Sequence, residues 1–451
     1  MDNGYSVWQT NDGGYIIGGR TDSFSNETDF DMWLIKTDGN GNEQWNKTFG
    51  GVEREKCRCV RQTTDHGYIL AGSRYIIEED AHAWVVKTDK NGREEWNRTY
   101  GNWSSGNCIQ QTNDGGYIIV GNVCGQKYED SDILLVKTDE YGNEEWNKTF
   151  GRNKYEGGAT VQQTDDGGYI IGGDTNCLEC YPNALLIKTD EYGNEEWNKT
   201  FGGTLSSVQQ TKDSGYVIGG SIRKWNRWLC YTHPDIWMIK TDSMGNVEWE
   251  RSFGTGRHEA GEYAQQTSDG GFIVVGETYH VRSFVGYNGD DEFDIWLIKI
   301  DDNGNEEWIK KLGEKENYEY TSEVHQTFDG AYIIVGGIYP WGTRDCDVWL
   351  IKTAEPTIKI ELTGSGLGVS ALIKNTGKED LHDINWSIYV EGIVFTGGYT
   401  HGVIPLLPAG GQTTVSSGIV LGVGPITIKI TAEEVALILN FLLLAYLMLP
   451  M

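Results

Sequence analysis

Short apolar runs recur along this chain, and polar turn residues bound each of them. In the fourth occurrence they predict four strands: A (Val161–Thr164), B (Gly168–Gly173), C (Ala184–Thr189) and D (Glu196–Phe201). Strands B and C are apolar throughout, as expected of strands that are covered on both faces. Strand D alternates Trp, Asn, Lys, Thr and Phe, as expected of a half-exposed outer strand.

The strand pattern is repeated seven times, and its punctuation is nearly constant. A turn T-x-D-x-G-Y, slightly decayed in the last two repeats, precedes strand B, with its aspartate at Asp12, Asp65, Asp114, Asp166, Asp213, Asp269 and Asp329. A motif related to E-W-N-K-T-F-G follows in six repeats, with its tryptophan at Trp45, Trp96, Trp146, Trp197, Trp249 and Trp308. A period of about fifty residues built from short strands is typical of small sheets arranged in an array. We therefore predict an all-β fold with a seven-bladed β-propeller over residues 1–354.

The composition changes after Pro356. Strands predicted at Ile358–Leu362 and Val369–Lys374, with turn clusters between such strands, indicate an immunoglobulin (Ig)-like β-sandwich over residues 357–433. Residues 435–451 form a hydrophobic C-terminal tail near the lower length limit for spanning a bilayer. A membrane anchor, a last strand of the sandwich and a tail from an altered reading frame are the three interpretations of this tail.

The two ends of the repeat array are incomplete. The seventh repeat lacks strand D, and the chain enters the first strand A without a signal peptide. A three-stranded last blade, completion by Thr357–Leu362 and a true start upstream of Met1 are the alternatives, and we favour the last.

The D-G-G-Y-I-I and W-N-K-T-F-G-G motifs resemble β-propeller repeats of archaeal and some bacterial surface or secreted proteins, in the quinoprotein-dehydrogenase-like propeller superfamily. The resemblance covers about residues 1–354. The I-K-N-T-G and W-S-I segments resemble adhesion-type Ig-like modules. These resemblances imply an exported, multi-domain cell-surface protein, and such families mostly have no assigned reaction.

The charge balance excludes one class of partner. The chain has 66 acidic and 37 basic residues, for a net charge of −29. We expect no nucleic acid as partner, because no basic stripe would release phosphate counterions.

Standard catalytic and metal motifs are absent from the sequence. It contains no H-E-x-x-H, G-x-S-x-G or phosphate-binding glycine loop, and its eight histidines show no ligand spacing. We predict no catalytic residues, no metal site and no cofactor. Calcium is the open alternative, because turn acids such as Asp301 and Glu306 resemble part of a calcium loop; the preferred interpretation is turn capping.

Cysteines and sequons suggest modifications of an exported chain. Cys59 and Cys108 occupy the same position in adjacent repeats, which makes them the disulfide candidate, with buried free thiols as the alternative. Glycosylation candidates in N-x-[ST] are Asn26, Asn46, Asn97, Asn102, Asn147, Asn198 and Asn385. Four of them lie in the repeated W-N-[KR]-T, so repetition of a strand motif also explains them.

The B–C loops predict the ligand-binding site. They leave the sheets on one face, together with the D–A loops, and these two sets absorb most of the length variation between repeats. Those of repeats five to seven are aromatic, and the candidate ligand-binding residues are Trp225, Trp228, Tyr231, Tyr279, Tyr287, Tyr339 and Trp341. Aromatic clusters on one face bind sugar rings or protein partners. The competing interpretation is that these rings pack their own loops.

We therefore predict a non-catalytic extracellular or cell-surface recognition or adhesion protein that binds carbohydrate or a surface protein. The tail adds a membrane as a further candidate partner. A secreted polysaccharide hydrolase or lyase and an architectural surface-coat protein are the alternatives. Convergence of two or three carboxylates at the channel mouth would favour the enzyme.

Overall fold

The computed structural model contains strands and turns, and no helix occurs among the residues it describes. These residues are 2–23, 30–75, 81–124, 131–151, 155–176, 182–226, 231–254, 258–279, 294–313, 317–340, 346–365, 368–433, 435–444 and 447–450. A search of the described chain for a helix long and apolar enough to span a membrane finds none.

Each repeat supplies its strands in the order A, B, C, D. The first four repeats contain β1 (Asn3–Gln9), β2 (Tyr15–Thr21), β3 (Asp31–Thr37), β4 (Glu43–Phe49), β5 (Arg54–Gln62), β6 (Tyr68–Tyr75), β7 (Ala81–Thr88), β8 (Glu94–Tyr100), β9 (Ser104–Gln111), β10 (Tyr117–Cys124), β11 (Ser131–Thr138), β12 (Glu144–Phe150), β13 (Tyr155–Gln163), β14 (Tyr169–Asn176), β15 (Asn183–Thr189) and β16 (Glu195–Gly202). Repeats five to seven contain β17 (Thr204–Gln210), β18 (Tyr216–Asn226), β19 (Tyr231–Thr241), β20 (Val247–Phe253), β21 (His258–Gln266), β22 (Phe272–Tyr279), β23 (Asp294–Ile300), β24 (Glu306–Leu312), β25 (Asn317–Gln326), β26 (Tyr332–Pro340) and β27 (Asp347–Thr353). The first five repeats each form an antiparallel A–B–C–D ladder, and the seventh forms three strands, in agreement with its missing E-W-N motif.

The chain divides into two compact parts. The larger part contains Met1–Ile295 and Glu314–Thr353, and the smaller part contains Trp296–Gly313 and Ala354–Met451. The strands after the repeats are β28 (Ile358–Ser365), β29 (Val369–Asn375), β30 (Leu381–Thr396), β31 (Tyr399–Leu407), β32 (Gln412–Ser416), β33 (Leu421–Ala432), β34 (Val435–Leu444) and β35 (Leu447–Pro450).

The T-x-D-x-G-Y signature forms a charged clasp within each sheet. In the fourth repeat, one carboxylate oxygen of Asp166 accepts the Thr164 hydroxyl at 2.6 Å and the Gly168 amide at 3.0 Å. The other oxygen lies 2.9 Å from Nζ of Lys188, a buried lysine of strand C. A Cβ on Gly168 would lie 2.1 Å from the Thr189 carbonyl oxygen, so only glycine fits there. The motif therefore ties the A–B turn to strand C.

The E-W-N motif acts between repeats. The ring of Trp146 meets Tyr169 of the next repeat edge-on, with centroids 5.9 Å apart and planes at 63°. The same indole lies under the following C–D turn, where a Cβ on Gly193 would fall 2.6 Å from Cζ3. Trp45, Trp96 and Trp197 repeat both contacts. Each tryptophan thus packs one sheet against the next.

A second series of contacts runs through all seven repeats. The residue after the T of each A–B turn donates its amide to a glutamine of the following strand A, and the seventh repeat donates to the first. The pairs are Asn11–Gln62, Thr64–Gln111, Asn113–Gln163, Asp165–Gln210, Lys212–Gln266, Ser268–Gln326 and Phe328–Gln9, at 2.7–2.9 Å. The amide of Val7 also donates to Glu323 at 2.8 Å, so the first and seventh repeats are neighbours.

The smaller part contains two sheets with alternating burial. One has the order β28–β29–β32, and the other contains β34–β33–β30–β31. Along β29 every second residue from Val369 to Asn375 is buried. Strand β34, from the hydrophobic tail, pairs with β33 from Val435↔Ala432 to Leu444↔Val423 and with β24 at Ile309↔Ala436.

Candidate functional site

Strand β5 carries an unusual density of basic residues for so acidic a chain. Its sequence R-E-K-C-R-C-V-R places Arg54, Lys56, Arg58 and Arg61 on nine residues, whereas the other six A strands contain no lysine or arginine. Arg54 and Arg58 are exposed and Lys56 is partly exposed. Since alternate residues of a strand share a face, Arg54 and Lys56 point the same way, whereas Arg58 lies at the irregularity between Cys57 and Cys59.

Arg20 of the first repeat adds a fourth cation to this surface. Its Nε donates to Oδ1 of Asn3 at 3.0 Å, and its guanidinium lies 4.6 Å from the ring centre of Phe30. The Arg54 guanidinium lies 6.0 Å from the same ring. Aromatic faces hold guanidinium groups by cation–π attraction and do not neutralise their charge.

Lys56 shows that these charges repel one another. Burial, followed by the positive charges of Arg58 and Arg20, lowers the pKa of Lys56 to about 8. A lysine close to an acidic partner would show the opposite shift. An anion bound among these three groups would therefore be stabilised by all of them.

Aromatic rings flank the basic residues. Tyr75, the register partner of Arg54, is exposed, and the Lys56 ammonium lies 5.9 Å from its ring centre. In the seventh repeat the Tyr320 hydroxyl accepts a hydrogen bond from Asn3, the partner of Arg20, at 2.7 Å. The Tyr320 ring lies 6.5 Å from Tyr339, which stacks on Tyr318 at 5.3 Å with planes at 22°. We call Arg20, Arg54, Lys56 and Arg58, together with Tyr5, Phe30, Tyr75, Tyr318 and Tyr339, the basic aromatic surface. Its members come from repeats seven, one and two.

A second cluster lies nearer the A–B turns of the same three repeats. The Arg61 guanidinium donates to Glu323 at 2.7 Å and to the Ser6 hydroxyl at 3.0 Å, and lies 4.8 Å from the Trp8 ring centre. His325 meets Trp8 edge-on at 4.9 Å and lies 3.0 Å from Glu323. Burial opposes ionisation of Glu323, but Arg61 and His325 outweigh it and lower the pKa of Glu323 to about 2.

This second cluster interrupts a regular pattern. The other four repeats place a glutamine at the position of Trp8, Arg61 and His325, and each glutamine accepts the strand A amide of the next repeat. The Ser6 hydroxyl donates to the Glu323 carboxylate at 2.7 Å. In a catalytic Ser–His pair the hydroxyl would instead donate to an imidazole, which acts as the general base. The described contacts of this cluster suit a binding site or an interior ion pair, and they do not orient the Ser6 hydroxyl as a nucleophile.

Two carboxylates with raised pKa values lie on β21 and β22. Burial and then the charge of Glu277 raise the pKa of Glu262 to about 8. Burial raises the pKa of Glu277 to about 7, and a hydrogen bond from the Thr321 backbone amide acts in the opposite direction. Glu277 therefore also links the sixth repeat to the seventh.

The predicted disulfide partners are neighbours, but the structure holds both as free thiols. The Sγ atoms of Cys59 and Cys108 lie 3.7 Å apart in buried positions. The hydrogen bond between the thiols raises the pKa of Cys59 and lowers that of Cys108. A disulfide would need the sulfur atoms to approach to about 2.05 Å, and its formation stays a prediction.

The predicted loop residues fall largely outside the described part of the chain. Trp228, Tyr287 and Trp341 lie outside it. Trp225, Tyr231 and Tyr279 lie on described strands, but the structure describes nothing of their side chains. Tyr339 is the predicted residue whose contacts are described, and it belongs to the basic aromatic surface. The structure thus leaves the aromatic loop site as a prediction and adds a basic surface that the sequence analysis missed. The basic strand β5 also contradicts the premise of no basic stripe, so the absence of a nucleic-acid partner stays a prediction that rests on net charge alone.

The sequons have a structural use in strand D. The side-chain amide of the motif asparagine donates to the glutamate three residues earlier, as in Asn46 to Glu43 at 2.6 Å and Asn147 to Glu144 at 2.5 Å. Asn97 and Asn198 make the same bond. Asn102 and Asn385 are exposed, whereas Asn26 lies outside the described residues.

No protein-family model matches the chain, and no curated protein matches its sequence. Solved structures match its fold at low identity. The β-propeller domain of the Trilobed protease from Pyrococcus furiosus is 11% identical, with 71% of this chain and 89% of that chain covered and a TM-score of 0.38.

A sialidase from Trypanosoma rangeli, solved with 2,3-difluorosialic acid, is 9% identical, with 94% and 88% covered and a TM-score of 0.41. A puromycin hydrolase is 9% identical, with a TM-score of 0.47; the match covers 82% of this chain and 58% of the hydrolase. The chain is therefore an all-β protein whose structural neighbours include β-propeller domains.

Proposed function

We propose that this chain is a non-catalytic recognition protein of the cell exterior, and that its basic aromatic surface binds an anionic carbohydrate. Residues 1–354 would form the seven-bladed β-propeller that carries the surface, and residues 357–433 an Ig-like module that carries the propeller. The seven repeats linked by amide–glutamine bonds support the first assignment. The two sheets with alternating burial support the second.

The observation that carries the proposal is the concentration of basic residues on β5. A chain of net charge −29 places Arg54, Lys56 and Arg58 on one strand, and burial, followed by repulsion from Arg58 and Arg20, lowers the pKa of Lys56. Carboxylate or sulfate groups would relieve that repulsion, and guanidinium groups bind such groups with two parallel hydrogen bonds. The adjacent tyrosines offer faces on which sugar rings stack. These features together favour uronic acids or sulfated sugars over neutral glycans.

The expected test is a glycan array probed with the full chain, followed by calorimetry with the best anionic ligand. The double variant K56Q/R58Q should weaken binding at least tenfold, since it removes two charges from the surface. The double variant K90Q/R93Q changes two exposed basic residues of a C–D turn and serves as the charge-matched control. Equal affinity of K56Q/R58Q and wild type, or binding to neutral glycans alone, would refute the proposal.

A secreted polysaccharide hydrolase or lyase is the second candidate, because Glu262 and Glu277 have raised pKa values. A carboxyl group that stays protonated near neutral pH can act as a general acid. Release of reducing ends from acidic polysaccharide that is lost in E262Q would favour the enzyme. Binding without release, unchanged in E262Q, would favour recognition.

A further inference from the structure

The junctions between repeats contain a recurring pair of acids. The first position lies at the start of strand C and the second at the start of the next strand A. Five junctions pair two acids, namely Asp31–Glu55, Asp132–Glu156, Asp235–Glu259, Asp294–Glu319 and Asp347–Asp2. At the other two junctions neither position is an acid: His82 is paired with Ser104, and Asn183 with Gly203. Acid therefore accompanies acid across the junction, which is the reverse of what charge repulsion favours.

The backbone shows why these positions meet. At the first junction the Glu55 amide donates to the Phe30 carbonyl at 2.8 Å, beside Asp31. A Cβ on Gly50 would lie 2.2 Å from Asp31 Oδ1 and 2.7 Å from Glu55 Oε2, so both carboxylates border the same small space. Two carboxylates this close, one of them fully buried, need a positive partner.

The first junction contains that partner within the chain. Nε of Arg74 lies 3.3 Å from Glu55 and 2.6 Å from Glu53. Arg74 faces Glu55 directly in the register of β5 and β6. At the fifth junction the corresponding register partner of Glu259 is Thr278, which has no charge. The position that Arg74 occupies in β6 thus holds a neutral residue in β22.

An imidazole takes part at the fifth junction instead. His233, Asp235 and Glu259 are 5%, 5% and 0% exposed, and their ligand atoms all lie within 4.8 Å of one another. Nδ1 of His233 lies 3.0 Å from Oδ1 of Asp235. Two ligands bound at about 2.1 Å to one ion are separated by about 3.0–3.4 Å. The His233–Asp235 distance meets this range, and the Glu259 carboxylate, within 4.8 Å, completes the site by a small shift towards the ion.

We propose that His233, Asp235 and Glu259 bind one divalent transition-metal ion, with Zn²⁺ as the preferred ion, between the fifth and sixth repeats. One neutral imidazole nitrogen and two carboxylate oxygens form a donor set that suits Zn²⁺ better than Ca²⁺ or Mg²⁺, which prefer oxygen alone. The ion neutralises two buried carboxylates and joins β19 to β21. It supports the packing of neighbouring repeats and needs no particular ligand on the basic aromatic surface.

The test uses the full chain after dialysis against a chelator, titrated with ZnCl₂ while metal content and melting temperature are measured. Wild type should bind one more Zn²⁺ than H233Q, and only wild type should gain melting temperature at that stoichiometry. Asp132 occupies the same position at the start of strand C as Asp235, but it lies at the third junction and is not part of the His233–Asp235–Glu259 cluster. The control variant Asp132→Asn should therefore keep the zinc-dependent gain in melting temperature. If H233Q does not fold, E259Q should show the same loss of one ion.

Cobalt substitution separates this site from the cysteines. Bound Co²⁺ should show weak visible bands without the intense near-ultraviolet absorption of thiolate ligation. Three outcomes would overturn the proposal: wild-type stability unchanged by Zn²⁺, equal Zn²⁺ binding by H233Q, or a thiolate spectrum. Stabilisation by Ca²⁺ that persists in H233Q would also overturn it.

Discussion

Replacing Trp146 by alanine should weaken the packing between the fourth repeat and the one before it. The half-buried indole meets Tyr169 edge-on at 5.9 Å and fills the space beneath Gly193. Removal of about 100 Å² of buried apolar surface costs about 2.5 kcal/mol, and loss of an edge-to-face aromatic pair adds about 1 kcal/mol. We expect the free energy of unfolding to fall by about 3–4 kcal/mol, within the usual range for Trp→Ala.

Urea unfolding followed by tryptophan fluorescence and circular dichroism measures this loss as a lower midpoint at an unchanged slope. Trp146→Phe keeps a ring against Tyr169 and should cost less than half as much. Tyr141→Ala removes a ring that is 62% exposed and should change stability by less than about 0.5 kcal/mol. If the free energy of unfolding of W146A lies within about 0.5 kcal/mol of the wild-type value, the tryptophan does not join the repeats, and its recurrence along the chain has another cause.

Three further changes have defined outcomes. The Lys352 hydrogen bond to Asp329 lowers the pKa of this carboxyl to about 2, so its contribution is present above pH 4 and is lost as the pH falls towards 2. Because Asp329 is more than half exposed, D329N should reduce that acid-dependent stability by less than about 1 kcal/mol in pH-dependent urea melts. Affinity for an anionic glycan should fall as the pH rises through 8, where Lys56 loses its proton, and calorimetry at several pH values measures this; K56Q should have a flat profile between pH 7 and 9. Gly168→Ala should destabilise the fold by more than about 2 kcal/mol in thermal melts, whereas Gly202→Ala, with no atom within 4 Å of the added carbon, should be nearly neutral.

The strands within repeats could be predicted because their causes are local. Alternation, turn glycines and the T-x-D-x-G-Y signature are all read within about twenty residues. Strand A was predicted too short: β13 begins at Tyr155, and an irregularity between Gly158 and Thr160 interrupts the pattern that would have revealed it. Bulges of this kind break the two-residue period on which strand prediction depends.

The candidate sites were harder to predict because they combine residues from different repeats. The basic run of β5 is visible in the sequence, but nothing along the chain shows that Arg20 and Phe30 of the first repeat lie beside it. His233 and Glu259 lie on separate strands, so no ligand spacing along the chain could indicate them. Aligning the repeats with one another reveals both features, since each departs from what the other repeats share at the same position.

The tryptophan and glutamine contacts also bear on how such a chain can change length over evolutionary time. Repeats two to five each carry one half of the contacts to their predecessor and the complementary half of the contacts to their successor. Unequal recombination between two repeats would therefore insert or delete a unit with both matching surfaces already in place. Repeat number can then vary by duplication without the selection of a new interface, and the amide–glutamine bond from Phe328 to Gln9 is remade by whichever units become last and first.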